Sequence, residues 1–185
     1  MRPRQRPAPR RSPHIGNYAG AIKDYNGVET WSVEAIQERY RRYADALGTR
    51  TVPLAPTRHI EKGHTWIFPL MQQVIELIDD GDRAAIEIGI EFISEDDFFV
   101  FGKILKSNTA RALRRAALTE EQKARVRERL VAMLLSGQVP HEWGEYKRLL
   151  RTVGLGPLWP VLEKGVDREN KFVMRHYAYL DRFAR

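Results

Sequence analysis

The residues that come closest to a known catalytic pattern are His141, Glu142 and Glu145. In zinc proteases a helix presents two histidines one turn apart to the metal, and a glutamate beside the first acts as the base. This chain reads His141-Glu142-x-x-Glu145, so a glutamate replaces the second histidine. We therefore interpret both glutamates as acidic residues at the positive N-terminal end of a helix, and we expect no zinc site there.

The other candidate ligands do not have the spacing of a metal site either. His59 and His64 are five residues apart in a segment that we interpret as a loop, which fits no standard ligand pair. Asp79-Asp80-Gly81-Asp82 lacks the alternating acids of an EF-hand, and His176 lies on an apolar stripe typical of a hydrogen-bonded core histidine. The chain has no cysteine and no glycine-rich phosphate loop. We therefore expect no metal and no organic cofactor.

The N-terminal residues 1–13 contain five arginines, four prolines and no acid. Such a segment has too little apolar surface to repay the entropy of ordering, so we expect a disordered arm. Five arginines can neutralise up to about five phosphates, which predicts weak, strongly salt-dependent binding to nucleic acid or to an anionic surface. The candidate contacts are Arg2, Arg4, Arg6, Arg10 and Arg11, extended by Lys103, Lys106, Arg111, Arg114 and Arg115.

Outside the arm the charge is almost balanced but unevenly distributed. The net charge is +7, and the five arginines of the arm leave only +2 for the remaining residues. Residues 76–97 contain nine acids and one arginine, whereas residues 103–129 contain nine basic residues and three acids. This pattern predicts that the two segments attract each other, and it does not indicate a uniformly basic face.

Apolar residues at helical spacing, in runs that mostly stop at or shortly before a glycine, predict most of the secondary structure. Thr119 and Gln122 have the spacing of a capping box, and Gly48 lies where a left-handed C-terminal residue is expected. The predicted helices run from Ser32 to Leu47, from about Trp66 to Ile78, from Thr119 to Leu134, from Pro140 to Val153 and from Asp167 to Phe183, with a short piece ending at Gly165.

The segment from Ala84 to Leu105 is compatible with two structures. Isoleucines at alternate positions, followed by a second apolar run, permit a β-hairpin over residues 86–105. The glutamates at 87, 91 and 95 instead lie on one face of a helix that Asp82 can cap, and we favour this helix. Residues 98–117 then form one helix bent at Gly102, or two separate pieces.

Together these elements predict an all-α fold, a series of short antiparallel helical hairpins. It would be an irregular bundle or a small α-solenoid, HEAT-like in architecture only, because no fixed repeat length is present. We divide the chain into the basic arm 1–13, a segment 14–57 and a main helical domain 58–185. The segment 14–57 comprises an extended surface stretch, the first helix and a proline-containing linker.

The composition predicts a soluble cytoplasmic protein. The longest apolar run is the six residues from Leu130 to Leu135, far short of the roughly 20 that a membrane span needs. Arg10-Arg11 is a twin arginine, but no apolar stretch of a signal peptide follows it.

Three functional hypotheses follow from the sequence. The first is a non-catalytic protein-interaction or scaffold domain, which agrees with the lack of any local catalytic motif. The second is a nucleic-acid-associated protein that uses the arm and the basic helices of 103–129. The third is an enzyme whose catalytic residues come from distant parts of the chain. The protein-contact surface expected under the first hypothesis comprises Phe98, Phe99, Phe101, Trp143 and Trp159.

Overall fold

A computed structural model describes residues 22–95 and 101–184, and the arm 1–13, Phe98 and Phe99 lie outside these ranges. The described part is mostly helical, with one small sheet. The strands are β1 (Ile22–Asp24), β2 (Arg58–Glu61) and β3 (His64–Ile67). The α-helices are α1 (Val33–Leu47), α2 (Met71–Asp79), α3 (Arg83–Glu95), α4 (Gly102–Arg115), α5 (Glu120–Leu135), α6 (Trp143–Val153), α7 (Trp159–Gly165) and α8 (Lys171–Ala184).

The ends of α1 and α5 are set by the residues that the sequence indicates. The Ser32 hydroxyl accepts a hydrogen bond from the Ala35 amide, and Gly48 ends α1 with a left-handed φ of 61°. At α5 the Thr119 amide donates to Gln122 Oε1 at 2.8 Å, and the Gln122 amide donates to Thr119 Oγ1 at 3.2 Å. This reciprocal pair is the predicted capping box.

The prediction of an all-α fold missed a three-stranded sheet. β2 and β3 form an antiparallel hairpin whose turn contains Lys62 and Gly63, both at positive φ. β1 pairs with β3 in parallel, so the strand order is β1-β3-β2. The helix predicted from about Trp66 therefore begins only at Met71, because Trp66 belongs to β3. The apolar Trp66 lies at helical spacing from the apolar residues of α2, and for this reason the predicted helix started too early.

The segment 84–95 is helical, so the hairpin alternative is wrong for these residues. Asp82 Oδ1 accepts from the Ala85 amide at 2.8 Å, as the predicted cap requires. Every residue from Ala84 to Ile90 is buried, because α3 packs against α1, α2, α4 and α5. A helix buried on all sides has no clear helical period, which explains the ambiguous pattern. The next helix begins at Gly102 and is not bent there.

The starts of the last two long helices differ from the prediction. Pro140 does not open a helix, and α6 begins three residues later at Trp143. Asp167 likewise does not cap α8, since its carboxylate accepts from amides in the preceding turn. The Asn170 side chain accepts from the Val173 amide at 3.3 Å and takes that role. Both errors come from polar turns that resemble helix starts.

The helices pack in two rows around one hydrophobic core. In one row α1 contacts α3, α3 contacts α5, and α5 contacts α7. In the other row α2 contacts α4, α4 contacts α6, and α6 contacts α8. The buried residues of both rows form one cluster that extends from Trp31 to Leu180. No helix in the described ranges has the length and apolar character needed to cross a bilayer.

Candidate functional site

Basic residues are concentrated on three neighbouring helices of one row. Within their bounds, α4 carries five basic residues and no acid, while α6 and α8 each carry three basic residues and one acid, which gives a net charge of +9. By the same count α1, α3, α5 and α7 together carry −1. We call the surface of α4, α6 and α8 the basic face. The basic residues of these helices are Lys103, Lys106, Arg111, Arg114, Arg115, Lys147, Arg148, Arg151, Lys171, Arg175 and Arg182.

Where α4 meets α6, three arginines surround one buried carboxylate. Glu145, whose side chain is 10% exposed, accepts from Arg148 Nη1 at 2.7 Å, from Arg111 Nη2 at 3.3 Å and from Arg114 Nη1 at 3.4 Å. One carboxylate against three guanidinium groups leaves an excess of two positive charges. The Arg111 and Arg148 side chains remain about half exposed, so this excess can be reached by a ligand.

Where α6 meets α8, cations alternate with aromatic rings. Lys147 Nζ lies 4.6 Å from the centroid of the Tyr179 ring, and the Arg151 guanidinium lies 4.9 Å from that of Phe183. The two rings are themselves 5.2 Å apart. Burial lowers the pKa of Lys147, and the positive charge of Arg175 lowers it further. The Lys147 ammonium therefore lies close enough to Arg175 for the two positive charges to repel each other.

The basic face ends at a cleft between the C-terminal end of α6 and α8. Its volume is about 310 Å³. Trp159, which lines it, stacks on Tyr177 with ring centroids 5.5 Å apart. Arg127 donates to the Val153 and Gly154 carbonyls and holds the backbone beside the cleft. The lining residues are Arg151, Gly154, Leu155, Gly156, Trp159, Leu180 and Phe183.

The acidic side chains of α3 do not neutralise the basic face. Glu87 accepts from Arg125 Nη1 of α5 at 2.5 Å, and Glu91 and Glu95 accept from Arg39 Nη1 of α1 at 2.5 Å and 2.8 Å. These partners lie in the row of α1, α3, α5 and α7. Because α3 uses its carboxylates within its own row, the charge of the other row stays positive.

The sequence-predicted nucleic-acid contacts are distributed unevenly. Arg111 and Arg114 belong to the basic face, and Lys103 is exposed on α4. Lys106 is only 5% exposed, because the packing of α4 places it inside, and it therefore does not contribute to the exposed part of the basic face. Arg115 forms an ion pair with Asp79 at 2.7 Å, which joins the acidic and basic segments as their charges predict. The five arginines of the arm lie outside the described residues.

The three described residues of the predicted aromatic contact surface, Phe101, Trp143 and Trp159, do not form a single exposed patch. Trp143 is 0% exposed and donates its indole N–H to the Gln138 carbonyl at 2.9 Å, so it belongs to the core. Trp159 is partly buried beside the cleft. Phe101 is exposed, but it is far from both tryptophans in the sequence. Phe98 and Phe99 are outside the described ranges. Trp143 lies at helical spacing from the other apolar residues of α6, so its ring belongs to the face of the helix that packs into the core.

Sequence reasoning missed Lys147, Arg148, Arg151, Tyr179 and Phe183. All five lie beyond the basic segment 103–129, which ends before α6 begins. A sum over each predicted helix does not reveal them either, because the helices predicted over residues 140–153 and 167–183 each carry a net charge of only +1. That these helices are neighbours in space is a tertiary fact, which no local signal in the sequence contains.

The histidines do not form a metal site in the described part of the chain. His59 and His64 lie in strands and not in a loop, and each ring is 5.7 Å from that of Trp66. His59 Nε2 lies 3.7 Å from Glu61 Oε2. Across residues 22–95 and 101–184, no group of three or more histidines and carboxylates is arranged to hold a metal ion.

His176 is half-buried below the basic face, 5.4 Å from the ring of Trp143. Its buried Nδ1 has no hydrogen-bond partner within the described ranges, so the predicted hydrogen bond is not formed at that atom. Burial, with the nearby charges of Lys147 and Arg175, lowers the pKa of His176 to about 4. The imidazole is therefore neutral at pH 7.

This low pKa predicts that the protein loses stability in mild acid. Between pH 6.5 and about 4 the unfolded chain binds a proton at His176 that the folded chain does not. The free energy of unfolding therefore decreases as the pH is lowered through this range. We expect a loss of about 1 kcal/mol, a value that already allows for solvent screening of this half-exposed group. Urea denaturation at pH 7 and pH 4.5 should show that His176→Gln removes this part of the pH dependence. Substitution of the exposed His141 by glutamine is the control, and an equal change in both variants would contradict the assignment.

The basic face must be interpreted from its own charges, rings and cleft, because comparison with other proteins adds no assignment. No protein-family model, no curated protein and no solved structure matches this chain.

Proposed function

We propose that the protein binds nucleic acid through the basic face formed by α4, α6 and α8. The observation that carries the proposal is the positive charge of these three adjacent helices, which is +9 in total and +8 without the buried Lys106. Phosphate groups neutralised by lysine and arginine release their condensed counterions, which drives binding. Arg111 and Arg148 are already oriented by Glu145, so less side-chain entropy is lost when they contact phosphates.

The dimensions of the basic face suit a nucleic-acid backbone. Neighbouring helix axes lie about 8–10 Å apart, so three helices present a surface of about 20 Å across. A strand in a duplex carries one phosphate about every 3.4 Å, so this width corresponds to about six nucleotides. The rings of Tyr179 and Phe183 add surfaces on which bases can stack.

The arm provides a second source of positive charge. Its five arginines can add phosphate contacts to those of the basic face. Additional arginine–phosphate contacts would increase the number of counterions released, and so steepen the dependence on salt. The arm and the basic face can be separated by experiment because they share no residues.

Fluorescence anisotropy with labelled 20-mer RNA, single-stranded DNA and duplex DNA tests the proposal. We expect binding at 50 mM KCl that weakens as salt rises, with a log–log slope that counts the phosphates contacted. A full-length variant with the five arm arginines replaced by glutamine should retain part of the affinity and a smaller slope. If the wild type does not bind at 50 mM KCl, or if the arm variant does not bind at all, the basic face is not the binding surface.

Protein binding, the first hypothesis from the sequence, is now the second candidate. Ile22 is 69% exposed and Ile60 is 72% exposed, and both lie opposite Thr65 on the same face of the sheet. Exposed apolar side chains grouped in this way are typical of protein contacts. Two isoleucines form only a small patch, and for this reason we place the hypothesis second.

A further inference from the structure

We propose that the cleft between α6 and α8 accepts an unpaired nucleobase, so that the protein prefers single-stranded to duplex nucleic acid. This inference rests on the proposed function and specifies its substrate class. The cleft opens at the end of the basic face, and the two share Arg151 and Phe183. A strand that crosses the basic face therefore reaches the cleft without leaving positively charged surface.

The walls of the cleft suit the flat, apolar face of a base. Phe183 is 52% exposed, so part of its ring is available for stacking, and Trp159 supplies a second ring. Leu155 and Leu180 complete the apolar lining. Stacking of a base on an aromatic side chain is the usual basis of single-strand binding.

Cations beside the cleft can hold the phosphates on each side of the bound base. Arg151 lies 4.9 Å from the centroid of the Phe183 ring, and Lys147 lies 4.6 Å from that of Tyr179. The distance between the two rings is 5.2 Å. Each ring is thus paired with a cation, which matches the alternation of base and phosphate along one strand.

A duplex cannot use the cleft in this way. Its bases are paired and stacked inside the helix, and bringing one out costs a few kcal/mol, whereas a single strand can turn a base outward at little cost. The side chains that line the cleft provide hydrogen-bond donors, on Arg151 and Trp159, and no acceptor. We therefore expect recognition by stacking with little sequence preference.

The test compares the affinities of a 20-mer single strand and of the duplex of the same sequence, measured by anisotropy at one salt concentration. We expect the wild type to bind the single strand at least 10-fold more tightly than the duplex. Phe183→Leu should weaken single-strand binding about 10-fold and leave both duplex binding and the salt slope unchanged, because no charge is removed. Phe172→Leu is the matched control, since Phe172 lies on the same helix, is 62% exposed and does not line the cleft.

A second readout follows the cleft itself. Stacking of a base beside Trp159 should quench indole fluorescence when single-stranded DNA is added, and Trp159→Phe should remove this part of the quenching. Equal affinity for single strand and duplex, with no effect of Phe183→Leu, would overturn the inference and leave the proposed function intact. Heparin carries negative charge but no bases. If heparin binds as tightly as single-stranded DNA, and Phe183→Leu weakens neither interaction, the inference is also overturned. Failure to bind any nucleic acid would overturn both.

Discussion

Replacement of Arg148, Arg151 and Arg175 by glutamine is expected to lower the affinity for a single-stranded 20-mer about 100-fold at 0.1 M salt. Each phosphate contact on a single strand contributes about 0.7 to the slope of log K against log salt. Loss of three contacts lowers the slope by about 2, which corresponds to about two orders of magnitude at 0.1 M. Anisotropy titrations at several salt concentrations measure the affinity and the slope together.

These three arginines can be replaced without leaving a buried charge unpaired. All three are exposed on α6 or α8. Glu145 loses its contact with Arg148 but keeps those with Arg111 and Arg114. The triple variant should therefore unfold at nearly the same urea concentration as the wild type, so a loss of binding is a property of the surface.

The matched control removes the same number of charges from other parts of the molecule. Arg41, Arg50 and Lys62 are exposed on α1, on the loop that follows it and on the turn between β2 and β3. Their triple replacement by glutamine should change the affinity less than 3-fold at 0.1 M salt, because long-range charge is screened beyond about 10 Å. An equal loss in both variants would mean that total charge, and not the basic face, determines binding.

The sequence predicts the elements of this fold best where helix ends are chemically marked. The Thr119–Gln122 capping box and the left-handed Gly48 are local features, and both lie where the sequence indicates. Gly102 shows the limit of such signals. The sequence permits either a bend at Gly102 or two separate pieces, and the helix in fact starts there, because the preceding Phe101 has a left-handed φ of 60°. A backbone conformation of this kind on a phenylalanine depends on the surrounding structure.

The sheet could not be predicted from the same signals because its pairing is not local. β1 is separated from its partner β3 by the whole of α1, and the register joins Ile22 to Thr65. A strand of three residues has no period that can be recognised. Only the β2–β3 hairpin has a local signal, the Lys62-Gly63 turn, and our interpretation of His59 and His64 as loop residues hid it.

The basic face shows how a charged surface can be missed although every charge is visible in the sequence. The basic residues of α4 and of α6 come together because α5 crosses to the opposite row and returns the chain to the same side. Charges summed along the chain mix α4 with α5, whose arginines bind Glu87 and the end of α6. The net charge of the whole domain is close to zero, but the charge summed over α4, α6 and α8 alone is strongly positive.

The core beneath the basic face leads to the second large prediction, that Trp143→Ala lowers the free energy of unfolding by about 4 kcal/mol. The side chain of Trp143 is fully buried, and its ring lies 6.2 Å from Tyr146 and 5.4 Å from His176. Removing a buried tryptophan costs the transfer of its apolar surface and leaves a cavity between α6 and α8. The Gln138 carbonyl also loses its 2.9 Å hydrogen bond from the indole.

Urea denaturation followed by far-UV circular dichroism measures this loss as a lower midpoint with an unchanged slope. Trp143→Phe, which keeps most of the apolar volume, should cost about half as much, and Trp159→Ala should cost less than Trp143→Ala because Trp159 is only partly buried. A loss below about 1 kcal/mol for Trp143→Ala would contradict the packing of α6 against α8. Since that packing brings Lys147 to Tyr179 and Arg151 to Phe183, a folded Trp143→Ala protein should also bind single strands less tightly than the Trp143→Phe protein.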